Sequence, residues 1–139
     1  MNIGNRPLMD IDNRPLMDIT IKNCTPHAVA FSAVIDGKPQ MITLQPEPVP
    51  CRVETESHNM GMIAGSIPIQ CQTYGEIRNL PDPQPNTVYV VSGLVLHALK
   101  LRGETRADVV APATGPRDNA IRNQHGHVVA VSVFNALAA

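Results

Sequence analysis

The sequence is poor in aromatic residues: among 139 residues there is no Trp, and there are only two Tyr and two Phe. Aromatic side chains normally contribute much of the buried surface of a core. This core must therefore be built from Val, Ile, Leu, Met and Ala. The length is that of one domain, which can bury about two thirds of its unfolded surface.

The chain also lacks an excess of either charge and any long apolar run. Its formal net charge is −1, which argues against general binding to nucleic acid or anionic lipid, because both require a basic excess. No run of about 18 apolar residues is present, so we expect no membrane-spanning helix. The N-terminus lacks the basic-then-apolar profile of a secretory signal. These features favour a cytoplasmic protein.

Cysteine is scarce and irregularly spaced. Cys24, Cys51 and Cys71 form no CxxC pair, and their number is odd. This pattern indicates reduced, mostly buried thiols rather than a disulfide framework or a zinc site. We expect neither a metal nor another cofactor.

Proline, by contrast, is abundant, with thirteen residues. So many prolines forbid long helices and favour short strands joined by loops. The strongest hairpin signal is Asp36-Gly37, because Gly adopts the positive φ that tight hairpin turns require. The polar, then Met- and Gly-rich stretch 55–65 is interpreted as a mobile loop. The fold class predicted is α+β, with a mostly antiparallel β-sheet of about eight short strands.

The stretch 86–112 is the most regular part of the sequence. An apolar β-branched run at 87–91 is followed by Ser92-Gly93, and the pattern then changes to that of a short helix at roughly 93–101. An extended pattern resumes at Val109. The stretch therefore predicts a strand-helix-strand unit, the one possible parallel crossover in the chain.

The N-terminus contains a duplication: NRPLMDI occurs at 5–11 and again at 13–19. Two copies are too few for a solenoid. We interpret residues 1–17 as a duplicated, poorly ordered segment and residues 18–139 as a single globular domain.

The turn after the first strand of the unit is the best candidate for a ligand site. A Ser in this position caps free backbone amides, and Gly93 lets a ligand approach the backbone. Helix N-termini of this kind collect phosphates and carboxylates. A plain N-cap is the ordinary alternative, since the sequence has neither a P-loop nor a GxSxG motif.

Further polar residues could complete such a site. Arginines grouped around a loop suit bidentate capture of an anion, although Arg106 and Asp108 share strand parity and could simply pair with each other. His27 lies in a polar turn, where it could equally be a capping residue. The predicted ligand-binding residues are Asn23, Thr25, His27, Ser92, Gly93, Arg106, Asp108 and Arg117; no catalytic or metal-binding residue is predicted.

Several segments resemble small orphan proteins of phages and prophages, which have no established activity. The resemblance spans about residues 18–134. It is carried by Asn23-Cys24-Thr25-Pro26-His27, Tyr74-Gly75-Glu76, Leu80-Pro81-Asp82-Pro83, Thr87-Val88-Tyr89-Val90-Val91-Ser92, Arg106-Ala107-Asp108-Val109-Val110-Ala111-Pro112 and Gly115-Pro116. It implies a protein that works inside the bacterial host. Phage proteins of this size include structural accessories, inhibitors of host factors and sponges for nucleotide signals.

Three functions follow as hypotheses. The first is an accessory protein that sequesters a small anionic ligand, such as a nucleotide signal in an anti-defence role, without catalysis. The second is a protein–protein interaction module that inhibits a host factor or serves in phage assembly. The third is a small phosphoesterase using His27 or Glu76. We also expect a homo-oligomer, because unprotected strand edges and the apolar residues of 60–63, with Leu8 and Leu16, offer contact surface.

Overall fold

A computed structural model of the protein describes residues 19–137. The N-terminal duplication at 1–17 lies outside these residues. The helix is α1 (Gly93–Leu101), which confirms the predicted helix. The strands are β1 (Thr20–Asn23), β2 (Val29–Ile35), β3 (Lys38–Leu44), β4 (Arg52–Ile63), β5 (Ile67–Arg78), β6 (Thr87–Val90), β7 (Val109–Pro112), β8 (Ile121–Arg122), β9 (Val128–Ala130) and β10 (Phe134–Ala136).

The largest sheet has four strands in the order β1-β6-β7-β10. β1 pairs with β6 in parallel, as does β6 with β7, whereas β10 runs antiparallel to β7. The unit β6-α1-β7 is therefore a parallel crossover. Its short strands fit between the helix and the rest of the molecule because nearly all of their residues are apolar, as in other parallel strands covered on both faces.

The core lies on both faces of this sheet. On one face, Tyr89 and Val91 pack with Val95 and Leu99 of α1, joined by the buried Cys51. On the opposite face, a second cluster forms around residues of β6 and β7 and is covered by partly buried neighbours. Its members are Val88, Val90 and Val110, with Ile19, Val29, Leu44 and Phe134 packed against them. Alternation along β6 thus divides its side chains between the two clusters.

Two small hairpins, β2–β3 and β8–β9, accompany the main sheet. β2 and β3 are joined at Asp36-Gly37, where φ is 52° and 76°. Positive φ at both central residues defines the type I′ turn, so the predicted hairpin is confirmed. A parallel bridge between Phe31 and Val131 attaches β2 to the segment after β9. Phe31 also makes an edge-to-face contact with Phe134, with ring centroids 5.5 Å apart.

β4 and β5 form a long two-stranded ribbon, with twelve residues in each strand. We call β4, β5 and their turn the arm. The interpretation of residues 55–65 as a mobile loop was wrong, because most of that stretch belongs to β4. Its signal is obscured by a register shift between Asn59 and Gly61, which inserts an extra residue and breaks the alternation.

The α+β class is supported, since the described residues are rich in strand and contain one helix. The expectation of one sheet of about eight strands is not met. Within the described residues, ten strands divide among four sheets, three of which have two strands each. Within residues 19–137, no helix combines the length and hydropathy needed to cross a lipid bilayer.

Candidate functional site

The carboxyl ends of β1, β6 and β7 meet at one edge of the main sheet, because these three strands are parallel. We call this the carboxyl edge. The segments that leave the three strands there carry polar residues from distant parts of the chain. Six of the eight predicted ligand-binding residues lie at or directly after this edge: Asn23, Thr25, His27, Ser92, Gly93 and Arg117. In open α/β sheets this is the edge at which ligands bind.

Helix α1 begins at this edge with a side-chain cap. Ser92 has extended backbone angles, with φ −68° and ψ 156°, and its Oγ accepts a hydrogen bond from the amide of Val95 at 3.2 Å. The cap leaves the amides of Gly93 and Leu94 without a hydrogen-bond acceptor among the described residues. First-turn amides of a helix have no partner within the helix and point outward along its axis.

The space beside the backbone of Gly93 is open. Gly93 is exposed, and a Cβ added to it would meet no atom within 4 Å. The first turn contains no acidic residue, while Lys100 lies in the last turn. The positive end of the helix dipole is therefore not neutralised by a carboxylate of its own first turn. Leu94 was not among the predicted residues, although its amide follows directly from a helix that starts at Gly93.

The Asn23–His27 turn is held together by its own side chains. Asn23 Nδ2 donates to the carbonyl oxygens of His27 at 2.8 Å and Leu44 at 3.0 Å. Asn23 Oδ1 accepts from the amide of Thr25 at 3.0 Å and lies 2.7 Å from the Thr25 hydroxyl. Both side chains are buried. Asn23 and Thr25 thus shape the turn, and only the exposed His27 ring is accessible to a ligand.

Arg106 and Asp108 are not brought to Ser92. They precede β7, so they lie at the amino edge of the sheet, beyond the whole length of that strand. Arg106 Nε and Nη2 bind the two carboxylate oxygens of Asp108 at 2.8 and 2.9 Å, and Nη2 also donates to the carbonyl of Pro81 at 2.9 Å.

This ion pair is structural. The Asp108 carboxylate is buried, and its hydrogen bond raises the pKa of the Arg106 guanidinium. A fork-to-fork pair of this kind leaves few donors for a ligand. Neither residue can share a small ligand with the helix N-terminus, which corrects the expectation that they belong to one site. The alternative from strand parity, that the two pair with each other, describes the structure.

Arg117 lies in the loop that leaves the carboxyl end of β7. A turn formed by Gly115 and Asp118 holds this loop, with Gly115 N donating to Asp118 Oδ2 at 2.7 Å. Arg117 itself is exposed and forms no hydrogen bond or ion pair with any residue from 19 to 137. Of the two predicted arginines, Arg117 is therefore the one without a partner among the described residues.

A second concavity occurs at the base of the arm, where the β5 strand bulges. This open groove has a volume of about 520 Å³ and is lined by Glu54, Thr55, Glu56, Thr73, Tyr74 and Gly75. The sequence pattern does not indicate this groove, because the stretch that forms one wall lacks a regular strand alternation. Its polar walls contain no described group of three metal-binding side chains, nor does any other part of residues 19–137.

Comparison with known proteins gives no match: no family model, no curated protein and no solved structure matches this chain. Function must therefore be argued from the residues themselves.

Proposed function

We propose that the protein binds a small anionic ligand at the carboxyl edge, in front of helix α1. The observation that supports this most directly is the pair of amides at Gly93 and Leu94, which have no acceptor among residues 19–137 and lie at an exposed, unobstructed glycine. Free first-turn amides and the positive end of the helix dipole together favour a phosphate or carboxylate group.

Two side chains of the same edge add to this preference. Arg117 supplies a free guanidinium, which can bind two oxygens of one phosphate. His27 supplies an accessible imidazole, which can donate a hydrogen bond to the same ligand or stack on a base. Both are exposed. A ligand with a phosphate and a planar base would use the amides, the guanidinium and the ring together.

The resemblance to phage and prophage proteins makes nucleotide signals the first ligand class to examine. A protein that sequesters such a signal needs to bind it and release it unchanged. The carboxyl edge offers groups suited to binding, and sequestration requires no catalytic step from them. Sequestration within an infected bacterium is accordingly the role that we propose.

The test uses two substitutions at Gly93. Gly93→Pro removes one amide proton, yet Pro is well tolerated at the first helical position, and the extended Ser92 is compatible with a following Pro. Gly93→Ala keeps the amide and adds a methyl group into open space. We expect a phosphate-bearing nucleotide to stabilise wild type and Gly93→Ala in a thermal-shift panel. Gly93→Pro should bind the same nucleotide with an affinity at least about tenfold lower.

Matched controls separate this effect from unspecific attraction. Arg117→Ala should weaken the binding of the same ligand, whereas Lys38→Ala, at the exposed start of β3, should not. The proposal is wrong if no nucleotide or phosphate ester shifts the melting temperature. It is also wrong if Gly93→Pro and Gly93→Ala bind equally well.

The same panel distinguishes a phosphoesterase. Chromatography of the recovered ligand would show product, and His27→Ala would abolish its formation, if the third hypothesis holds. Intact ligand supports sequestration instead. The second hypothesis, an interaction module, draws support from the exposed surface of the arm.

A further inference from the structure

The arm is uncovered along most of its length. Every residue from Glu54 to Thr73 is exposed. The arm contacts the rest of the molecule at its base. There Tyr74 packs edge-to-face on His97, with ring centroids 5.7 Å apart, and Arg102 donates a hydrogen bond to the carbonyl of Gly75. A two-stranded ribbon with no layer behind it is only marginally stable in water. The arm therefore gains stability from any surface that covers one of its faces.

One face of the arm is apolar near the tip. Ile63 and Ile67 lie directly opposite each other, and Ile69 follows two residues later on the same face. Their exposed fractions are 56 %, 58 % and 41 %. We call these three residues the isoleucine face. Met60 and Met62 are also exposed close by, so the tip presents five large apolar side chains to solvent.

Charge is absent from the same region. No Asp, Glu, Lys or Arg occurs between Glu56 and Glu76. Two identical arms can therefore lie against each other without bringing like charges together. A partner selected by charge complementarity would find nothing to pair with on the outer arm. This composition favours a second copy of the chain as the occupant.

The edges of the arm are poorly suited to adding another strand. Pro68 removes a backbone donor from β5, and the register shift between Asn59 and Gly61 interrupts β4. Both are devices by which natural sheets discourage edge-to-edge pairing. Contact through a face of the ribbon remains possible. The isoleucine face is the one that carries the exposed isoleucines of the arm.

We propose that the isoleucine face is the contact between two copies of this chain, with the two arms packed face to face about a twofold axis. The uncovered ribbon is about 26 Å long and about 10 Å wide, as judged from strand rise and spacing. Such a face buries less than the roughly 800 Å² per partner of a standard interface. The dimer is accordingly reversible, with dissociation in the micromolar range.

Sedimentation velocity across the micromolar range tests this proposal without any ligand. Wild type should shift from monomer to dimer as concentration rises. The double variant Ile67→Lys with Ile69→Lys introduces two charges into the face and should weaken dimerisation about tenfold or more. The matched control is Val34→Lys with Val129→Lys, at positions 65 % and 50 % exposed on the body, and should dimerise like wild type.

A monomer at every concentration would overturn the proposal, and so would equal weakening by the control pair. Hydrogen exchange of the wild type gives an answer even if the lysine variant does not fold. Amides of the outer arm, from Met62 to Cys71, should exchange more slowly at high than at low protein concentration. Exchange that does not depend on concentration would also contradict the proposed dimer.

Discussion

Asn23 illustrates how a single residue shapes the carboxyl edge. Its side-chain amide joins the end of β1, the following turn and the last residue of β3, through His27 and Leu44. The sequence shows a polar residue in a turn, which suits a ligand group and a structural group equally. Only the burial and the complete use of its donors and acceptors assign it to the structure.

We expect Asn23→Ala to lower the free energy of unfolding by about 2–4 kcal/mol, because the substitution removes the hydrogen bonds to the His27 and Leu44 carbonyls and leaves the amide of the buried Thr25 without its acceptor. Urea unfolding measures the change. Asn59→Ala is the matched control, since this exposed Asn bonds only to the amide of Gly61. A loss of similar size in both variants would contradict the role assigned to Asn23.

The thiol of Cys51 makes the free energy of unfolding depend on pH in the alkaline range. Burial, and secondarily the neighbouring Cys24 thiol, raise the pKa of Cys51 from 9.0 to about 11. A thiol with a raised pKa in the folded state stabilises the fold fully below pH 9, and this contribution is lost as pH rises toward 11. We expect a decline of about 2 kcal/mol in unfolding free energy over this window.

Urea unfolding at pH 8, 9, 10 and 11 would measure the decline, and Cys51→Ala should make it shallower than in wild type. An unchanged slope would show that other groups titrate in its place. In native protein at neutral pH, a thiol reagent should modify Cys71, which is exposed, and leave the buried Cys24 and Cys51 unmodified.

At the scale of elements, α1 and its two strands were the part most accessible to sequence reasoning. The apolar run of β6, the Ser92 cap and the change of period each indicate the same boundary. The outer part of β4 was missed because its pattern is weaker: Met60 and Gly61 interrupt the alternation. Alternation is clearest in strands that bury one face, and the outer arm buries neither.

Substitutions of Ser92 separate the cap from the ligand. Ser92→Ala should lower the unfolding free energy by about 1 kcal/mol, because the amide of Val95 loses its acceptor. Ser92→Asp keeps a good cap, so stability should stay within about 0.5 kcal/mol of wild type. Its carboxylate places a negative charge at the proposed site, and anion binding should fall sharply.

Thermal unfolding and the nucleotide panel of the Gly93 variants measure both effects. Should Ser92→Asp bind the anion as well as wild type does, the ligand is held elsewhere. Equal stability of wild type and Ser92→Ala would instead show that the cap contributes nothing to the fold.

At the scale of the whole molecule, the small hairpins are attached to the main sheet by few contacts. Phe31 of β2 meets Phe134 of β10, and the amide of Val131 donates to Ala30 at 2.9 Å. We expect Phe134→Ala to lower the unfolding free energy by about 2–3 kcal/mol, because it removes this aromatic contact and part of the second core cluster. Phe134→Leu should cost less, since it keeps the apolar volume.

Limited proteolysis complements urea unfolding in this case. The β2–β3 hairpin should become more sensitive to cleavage in Phe134→Ala than in Phe134→Leu. Equal sensitivity would contradict the role assigned to the Phe31–Phe134 contact in holding the hairpin.

The arrangement of the sheets was beyond sequence reasoning for a related reason. The pattern of β1 predicts a half-buried strand, but nothing in Thr20–Asn23 specifies β6 as its neighbour. The final strand was missed as well, because Phe134–Ala136 is short and lies near the end of the chain. Partners so distant along the sequence are selected by packing of the whole core.

The pairing of β1 with β6 has a consequence for how the chain folds as it leaves the ribosome. The first strand emerges early and must wait for a neighbour that is synthesised much later, whereas β2–β3 and β4–β5 can close locally as soon as they appear. Nascent protein thus exposes its methionine-rich ribbon before any interior exists to anchor it. Slower translation or a colder culture should consequently raise the yield of soluble product.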